Sequence, residues 1–321
     1  MKAVIIFQKI SSNPKEDELD VLDQVRMVSE ALNILKYDTS EVQMSLDIEK
    51  AIEQIRNIGP DLIFNLVESV DGSNELLTLA PMILRHIGIP FTGNCAEAMF
   101  ITTNKILTKK ILFASGIPFP EWFSLLDFCR TDKPKKYILK PVSEDGSLQL
   151  DEDSVFSRDD PSFPARFGID NPAGYFVEEF IDGREFNLSI LAGDNEPEVF
   201  HPAEILFTDY PENKPKVVGY RAKWIENSFE YINTPRTFEF PDCDITVLST
   251  LKDIALRCWY EFGLKGYARV DFRVDKNNSP YVLEINANPC IAKYSGFVSA
   301  AKQKGLEFHQ IIKRIINDAN K

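Results

Sequence analysis

The polar residues best suited to chemistry lie between residues 269 and 289, which read RVDFRVDKNNSPYVLEINANP. Side chains alternate along a strand, so Arg269 and Asp271 share one face of the first half of this segment. Glu284 and Asn286 share one face of the second half in the same way. If the two halves pair as strands, these four side chains converge on a single polar surface.

Two carboxylates and an amide oxygen on one surface predict a magnesium site at Asp271, Glu284 and Asn286. Such hard oxygen ligands suit Mg²⁺, which prefers one or two carboxylates together with substrate phosphates over a closed protein cage. The plain alternative is a solvated hairpin that happens to be acidic, because exposure is the normal state of charged side chains.

The elements that must position this segment follow from the hydrophobic pattern. The amino-terminal part alternates short apolar runs with helical patterns, which predicts an open α/β subdomain. Its predicted elements are strand 3–7, helix 20–35, strand 61–66, helix 75–87 and a short strand and turn at 89–93.

The rest of the chain reads as α+β. Asp182 and Gly183 are typical of a hairpin turn and predict that the strands on either side pair with each other. The predicted elements are helix 103–115, strands 136–142, 175–181 and 184–191, a polar stretch at 209–216, helix 245–262, strands 268–274 and 281–285, and helix 306–316.

Composition excludes several classes of protein. The chain has 321 residues and a formal net charge of -13, which argues against a nucleic-acid partner because phosphate neutralisation needs clustered cations. No apolar run approaches about 18 residues, so we expect no membrane span. Five cysteines without a CxxC pair, and three scattered histidines, favour neither a disulfide framework nor a zinc site, and predict a cytoplasmic protein.

The segment 269–289 is one of several motifs, spread over nearly the whole chain, that resemble those of a known family. The segment 269–289 resembles the metal-binding hairpin of ATP-grasp enzymes, in the form found in D-alanine–D-alanine ligases. Any single motif is weak, but seven in the family's order are strong. The others are Phe64-Asn65-Leu66, GIPFTG at 88–93, residues 104–109 with Gly116-Ile117-Pro118, Lys140-Pro141 with EDGS at 144–147, VEEF at 177–180 with Gly183-Arg184-Glu185, and Ala222-Lys223.

The resemblance implies an ATP-grasp fold of α/β and α+β type with three subdomains. They are an N-terminal open α/β pre-ATP-grasp domain (1–97), a small α+β central domain (98–180) and a C-terminal ATP-grasp domain (181–321). The last contains the metal-binding β-hairpin and a mobile loop at about 209–235. The family also implies a homodimer.

The resemblance assigns an ATP site as well. Lys105 and Lys140 resemble the lysines that hold the phosphates and the adenine side, and Lys223 resembles the lysine of the loop that closes over the γ-phosphate. Glu178 resembles the acceptor for the adenine amino group, and Glu185 the acceptor for the ribose hydroxyls. The implied cofactors are ATP and two Mg²⁺ ions, with Mn²⁺ as a substitute.

For the reaction, the resemblance implies an acyl-phosphate that is formed from a small carboxylate and attacked by a small amine. Arg269, with a backbone N–H near Cys290, matches the oxyanion stabiliser. Ser147 matches the loop serine near the first substrate, and Ser295 matches the residue that holds the second substrate's carboxylate. A nucleophilic Cys290 is disfavoured because no histidine partner is in view.

Four departures concern the substrate. Trp224 replaces the family's usual Tyr and cannot supply a hydroxyl. Glu68 with Ser69 replaces a His-Gly pair and puts an acid near the first amino group. Cys290 and Leu148-Gln149 stand where the family has glycines. The N-terminal glycine-rich loop with its Glu is missing, and Glu16, Asp17 or Glu18 takes that position; Glu18 is our choice among them.

Three functions therefore stay open. The first is a D-alanine–D-alanine ligase of peptidoglycan synthesis, and the second is a related ligase for another amino-acid or peptide-like pair. The third is a non-catalytic nucleotide-binding protein on the same scaffold. The retained metal and ATP-side residues disfavour the third. Trp224 and Glu68 favour the second over the first, whereas the commonest activity of the family favours the first.

Overall fold

The computed structural model describes most of the chain, namely residues 1–11, 14, 16–128, 135–143, 150–160 and 171–320. The strands in these ranges are β1 (Lys2–Gln8), β2 (Asp38–Met44), β3 (Leu62–Asn65), β4 (Trp122–Ser124), β5 (Lys136–Pro141), β6 (Val155–Ser157), β7 (Tyr175–Glu179), β8 (Gly183–Leu191), β9 (Glu198–Val199), β10 (Ala203–Ile205), β11 (Arg236–Thr237), β12 (Tyr267–Asp275) and β13 (Pro280–Ala287). The α-helices are α1 (Glu16–Ile34), α2 (Ile48–Ile58), α3 (Leu79–Ile87), α4 (Ala96–Thr103), α5 (Lys105–Ala114), α6 (Leu125–Phe128), α7 (Tyr220–Trp224), α8 (Phe229–Ile232), α9 (Ile245–Glu261), α10 (Gly296–Gln303) and α11 (Phe308–Ala319).

The amino-terminal sheet is parallel, with strand order β2-β1-β3. β1 is apolar along its length because both of its faces are covered. Ala3, Ile5 and Phe7 pack with helices α1, α10 and α11. Val4 and Ile6 pack on the other side, against residues of α2 and α3. The predicted α/β character of this region is confirmed.

The largest sheet is antiparallel and has the order β11-β10-β8-β12-β13, with β9 paired to β8. One of its faces packs on α9, through residues such as Leu251, Ala255 and Cys258. The predicted hairpin of β12 and β13 is present, and a register irregularity lies between Asp271 and Phe272. Because one face of the hairpin packs on α9, its opposite face is left for polar side chains.

A smaller antiparallel sheet has the order β4-β7-β5-β6. Tyr137, Phe128 and Phe156 form an aromatic cluster on one face of it, with ring centroids of Tyr137 and Phe128 4.8 Å apart. The proposed subdomain limit near residue 180 falls between this sheet and the large one.

The predicted hairpin around Asp182 and Gly183 is wrong, because β7 and β8 belong to different sheets. β8 pairs along its whole length with β12, so that Gly183–Leu191 lies opposite Tyr267–Asp275. Gly183 is needed for close approach: a Cβ there would lie 2.0 Å from the Val274 carbonyl oxygen. A glycine that packs against a neighbouring backbone was therefore misread as a turn glycine.

Three further elements differ from the predictions. Instead of one helix over 75–87 there is a 3₁₀ turn at Asn74–Leu76 and then α3, because Pro81 cannot donate to a carbonyl one turn earlier. The helix predicted over 103–115 is α5, which Asn104 caps by accepting from Leu107 N. At 89–93 only Phe91 bridges to Ile63.

Helix α10 was not predicted. Among the described residues, no helix is long and apolar enough to cross a membrane.

Candidate functional site

A large open cleft of about 2220 Å³ is lined by residues from all three sheets. It includes every predicted site residue whose side chain the structure describes. Ser147 lies outside the described residues, as do the side chains of Glu16 and Asp17. The predicted residues that line the cleft are Glu18, Glu68, Lys105, Lys140, Glu178, Glu185, Lys223, Trp224, Arg269, Asp271, Glu284, Asn286 and Ser295.

The polar surface predicted for the hairpin is present. Asp271 lies opposite Glu284, and Arg269 lies opposite Asn286. The Arg269 guanidinium binds Asp271 through two contacts of 2.7 Å, from Nε to Oδ1 and from Nη2 to Oδ2. Asn286 Nδ2 donates to Asp271 Oδ2 at 3.1 Å and lies 3.4 Å from Glu284 Oε1. The four side chains form one connected cluster.

Asp271 and Glu284 differ in how fully they are engaged. Asp271 also accepts from Asn187 Nδ2 at 2.8 Å, so four donors surround its two oxygens. Glu284 has longer contacts, including Lys105 Nζ at 3.9 Å. Burial works against its ionisation, but the charges of Lys105, Lys223 and Arg269 lower the pKa of Glu284 to about 2. Glu284 is therefore a carboxylate at neutral pH.

This donor set fits a divalent cation that also binds phosphate. Within the described ranges, no three His, Cys, Asp or Glu side chains are grouped closely enough to hold a metal by themselves. Phosphate oxygens and water would then complete the coordination of Mg²⁺. A cation on Asp271 must displace one of its donors, and Asn286 makes the longest of these contacts. A turn of its amide would present oxygen instead of nitrogen.

A fully buried carboxylate of the same cleft lies between two lysines. Glu178 Oε1 accepts from Lys109 Nζ at 2.6 Å, and Oε2 lies 2.6 Å from Lys140 Nζ. Burial opposes ionisation, but the two lysines lower the pKa of Glu178. Oε2 nevertheless accepts no well-directed hydrogen bond within the described structure. That oxygen is buried beside Lys140, so it could accept from a bound amino group only if Lys140 moved.

Lys109 was missed as a site residue, although it belongs to a motif recognised in the sequence. Its side chain has no exposed surface, whereas Lys110 beside it is exposed. The available signal was the helical pattern, which puts residue 109 on the buried side of α5 with Thr108 and Leu112.

Glu185 is paired with Arg273, which sequence reasoning did not assign. Arg273 Nη2 lies 2.8 Å from Glu185 Oε2, and both residues line the cleft. Burial raises the pKa of Glu185, and the charge of Arg273 opposes that shift. The alternation of β12 already placed Arg273 on the same face as Asp271, so the signal was present in the sequence.

The wall near Cys290 contains a hydrogen-bonded network that the sequence did not reveal. Buried Gln24 donates to Glu68 Oε1 at 2.8 Å and accepts from the Ile291 N–H at 3.0 Å. Cys290 Sγ donates to Asp20 Oδ2 at 2.9 Å. Burial raises the pKa of the Cys290 thiol well above its usual range. This environment favours the thiol over the thiolate, so it does not suit a nucleophile.

Three other predicted site residues, Glu18, Ser295 and Lys223, each have their own local contacts or position. One carboxylate oxygen of Glu18 accepts from the Ser11 N–H, and the other accepts from the Ser11 hydroxyl at 2.9 Å. Ser295 caps α10 by accepting from Val298 N at 3.2 Å. Lys223 lies near the end of the short helix α7. Burial opposes the ionisation of Glu284, and the charges of Lys105 and Lys223 lower its pKa.

Comparison with known proteins agrees with this arrangement. Residues 167–317 match the family described as D-ala D-ala ligase C-terminus. The chain is 29% identical to the D-alanine–D-alanine ligase of Aquifex aeolicus over 296 residues. This alignment covers 91% of this chain and 92% of that protein. It is 27% identical over 265 residues to the uncharacterized protein y4sG of Sinorhizobium fredii, with 81% and 75% covered.

Solved structures confirm the predicted fold. The D-alanine–D-alanine ligase of Bacillus anthracis complexed with ATP superposes with a TM-score of 0.74 at 20% identity, covering 100% of this chain and 97% of that one. The VanG D-Ala:D-Ser ligase of Enterococcus faecalis gives 0.70 at 18% identity, with 99% of each chain covered.

Proposed function

Because the chain belongs to the D-alanine–D-alanine ligase-like family of ATP-grasp proteins, we propose that it uses ATP to join the carboxylate of one amino acid to the amine of another. One observation carries this proposal. The cluster of Asp271, Glu284, Asn286 and Arg269 opens into the same cleft as Lys105, Lys140 and Lys223. Metal, phosphate and carbonyl chemistry can therefore meet in one place.

The nucleotide would lie between residues of the small and the large sheet, both of which line the cleft. Glu178 and Lys140 come from the small sheet, and Glu185 comes from the large one. Glu178 Oε2, which lies beside Lys140, would suit the adenine amino group once Lys140 turns to the phosphates. Glu185 suits a ribose diol, because a carboxylate is a strong hydrogen-bond acceptor. Lys105, Lys140 and Lys223 offset the phosphate charge.

Asp271, Glu284 and Asn286 would hold Mg²⁺ against those phosphates. When bound, Mg²⁺ supplies positive charge that polarises the transferred phosphoryl group. Glu284 is suited to this role because it stays ionised and its contacts are long.

The chain's own residues account for the two steps. A carboxylate oxygen of the first substrate attacks the γ-phosphorus of ATP, the bond to ADP breaks, and an acyl-phosphate forms. The neutral amine of the second substrate attacks the acyl carbon, and phosphate leaves. The amine gives up a proton as the amide forms, and the departing phosphate can take that proton. Arg269 would stabilise the tetrahedral oxyanion between these events.

The distribution of charge around the cleft suits amino acids at both positions. Acidic residues line the wall near Cys290, among them Glu18, Asp20 and Glu68. Cationic residues, Arg236 and Lys293, line the wall beside Ser295. A first ammonium would face the acids, and the carboxylate of the second substrate would face the cations.

The substrate pair is proposed to differ from two D-alanines. Trp224 lines the cleft, offers only an N–H, and is bulkier than Tyr, so it would alter the volume available to a substrate. Glu68 adds an acceptor on the opposite wall. A phosphate-release screen with Mg-ATP and pairs of D- and L-amino acids tests this proposal. Preference for D-alanine in both positions would restore the cell-wall ligase assignment, and release with no pair would favour a non-catalytic nucleotide-binding protein.

A further inference from the structure

Four charged residues join the lid, which we define as residues 209–235, to the small sheet. Arg221 Nη2 lies 2.7 Å from Glu152 Oε2, and Lys214 Nζ lies 3.4 Å from Glu152 Oε1. Lys214 Nζ also lies 2.7 Å from Glu230 Oε1, and Arg221 Nε lies 3.8 Å from the same oxygen. We call Glu152, Lys214, Arg221 and Glu230 the lid cluster.

Burial makes this cluster more than an ordinary surface ion pair. The side chains of Glu152 and Glu230 are each only 8% exposed, whereas that of Arg221 is 47% exposed. Exposed ion pairs contribute little, but a buried carboxylate that loses its partner is costly. Glu152 is the only member outside the lid, and it lies in a 3₁₀ turn that Asp151 caps just before β6.

The backbone around the cluster fixes the start of α7. Tyr220 N donates to the Leu150 carbonyl at 2.8 Å. A Cβ on Gly219 would lie 2.6 Å from that same oxygen, so only glycine allows this approach. Val217 packs with Ile138 and Val155 of the small sheet. The lid is thus bound to the small sheet just before the residues that enter the cleft.

The short helix α7 connects the cluster to the reaction site. Arg221 points to Glu152, while Lys223 and Trp224, two and three residues later, line the cleft. Resting on the ligase function proposed above, we propose that Arg221 and Glu152 are positioning residues that hold Lys223 and Trp224 over the substrates. A lid held in this way keeps water from the acyl-phosphate.

Arg221→Gln and Glu152→Gln test this proposal with the amino-acid pair found by the screen. Each change should lower kcat about tenfold, equivalent to roughly 1.4 kcal/mol, and raise the ATP hydrolysed per amide formed. The double variant should be no worse than either single variant, because both remove the same contact. Arg221→Lys should recover part of the rate. Arg85→Gln removes another 2.7 Å pair, with Glu97, outside the cleft and serves as the control.

Amide hydrogen exchange separates this proposal from the ligase proposal, since it needs no substrate. Exchange over α7 and α8 should be faster in Arg221→Gln than in the parent protein and unchanged in Arg85→Gln. Unchanged exchange, or additive losses of kcat in the double variant, would overturn the positioning role. Faster exchange in a protein that forms no amide would retain the attachment of the lid but remove its role in ligation.

Discussion

Asp271 lies directly opposite Glu284 in the antiparallel pair of β12 and β13, and the register shifts immediately after Asp271. A bulge at this point re-aims the side chains on either side of it, which is common next to active sites. The two carboxylates consequently face the cleft together, with Arg269 bound to Asp271 and Lys105 3.9 Å from Glu284.

Replacement of Glu284 by Gln is expected to abolish amide formation while the protein stays folded. The change keeps the shape of the side chain but removes one of two charged ligands from an ion that has few protein donors. Activity should be measured against Mg²⁺ concentration, with Glu75→Gln, outside the cleft, as the matched control. Near-normal turnover by a folded Glu284→Gln variant would refute the metal assignment.

Loss of Lys109 is expected to destabilise the fold and weaken ATP binding. Lys109→Met leaves buried Glu178 with Lys140 alone, and breaking a buried pair costs about 3–5 kcal/mol. The free energy of unfolding in urea measures this loss, and exposed Lys110→Met should change it little. If both variants lose the same small amount, the pair has no special role.

The same pair predicts how stability depends on pH. The lysines hold the pKa of Glu178 below its ordinary value of 4.5, so this stabilisation is fully present above that pH and is lost as the pH falls through the folded-state pKa. Lys109→Met should therefore move the acid-unfolding midpoint to higher pH. An unchanged midpoint would mean that Glu178 is not the group involved.

Glu68→Ala is expected to raise the KM for the first substrate more than the KM for ATP. A hydrogen bond to a charged group is worth roughly 1.5–3 kcal/mol, which corresponds to about ten- to a hundredfold. Glu68 also accepts from Gln24, so the unfolding curve must be recorded beside the kinetics. The control is Glu75→Ala. Equal effects on both KM values would make Glu68 part of the scaffold.

Arg236→Gln is expected to raise the KM of the second substrate. If Gly296 carried a Cβ, that atom would lie 3.3 Å from Arg236 Nη2. Gly296 is the first residue of α10, so the guanidinium lies close to Ser295, which caps this helix. Within the described structure it forms no ion pair within 4.0 Å. The comparison is between an amino acid and its amide as acceptor; a variant that affects both alike contradicts carboxylate recognition.

Trp224→Tyr is expected to change the ranking of amino acids more than the affinity for ATP. The residue after Lys223 lines the cleft, and Tyr restores a hydroxyl while it removes bulk. Steady-state rates over an amino-acid panel at saturating ATP measure the ranking. If parent and variant rank the panel identically, with D-alanine first, residue 224 does not set specificity.

The hairpin site could be predicted because alternation along β12 and β13 depends only on local sequence. The buried run of β1 and the helical pattern of α9 were predictable for the same reason. The pairing of β8 with β12 was not, since partners 76 to 92 residues apart leave no local pattern, and Gly183 serves this long-range contact. Gln24 and the lid cluster were missed because a polar residue gains its role only when tertiary structure brings a partner to it.

Transfer of oxygen from the first substrate's carboxylate to phosphate tests the central claim most directly. The first amino acid of the active pair is labelled with oxygen-18 in its carboxylate, and the released phosphate is analysed by mass spectrometry. An acyl-phosphate pathway predicts one labelled oxygen in each phosphate, formed together with ADP and the amide. Amide formation with unlabelled phosphate, or with label in AMP, would contradict the account.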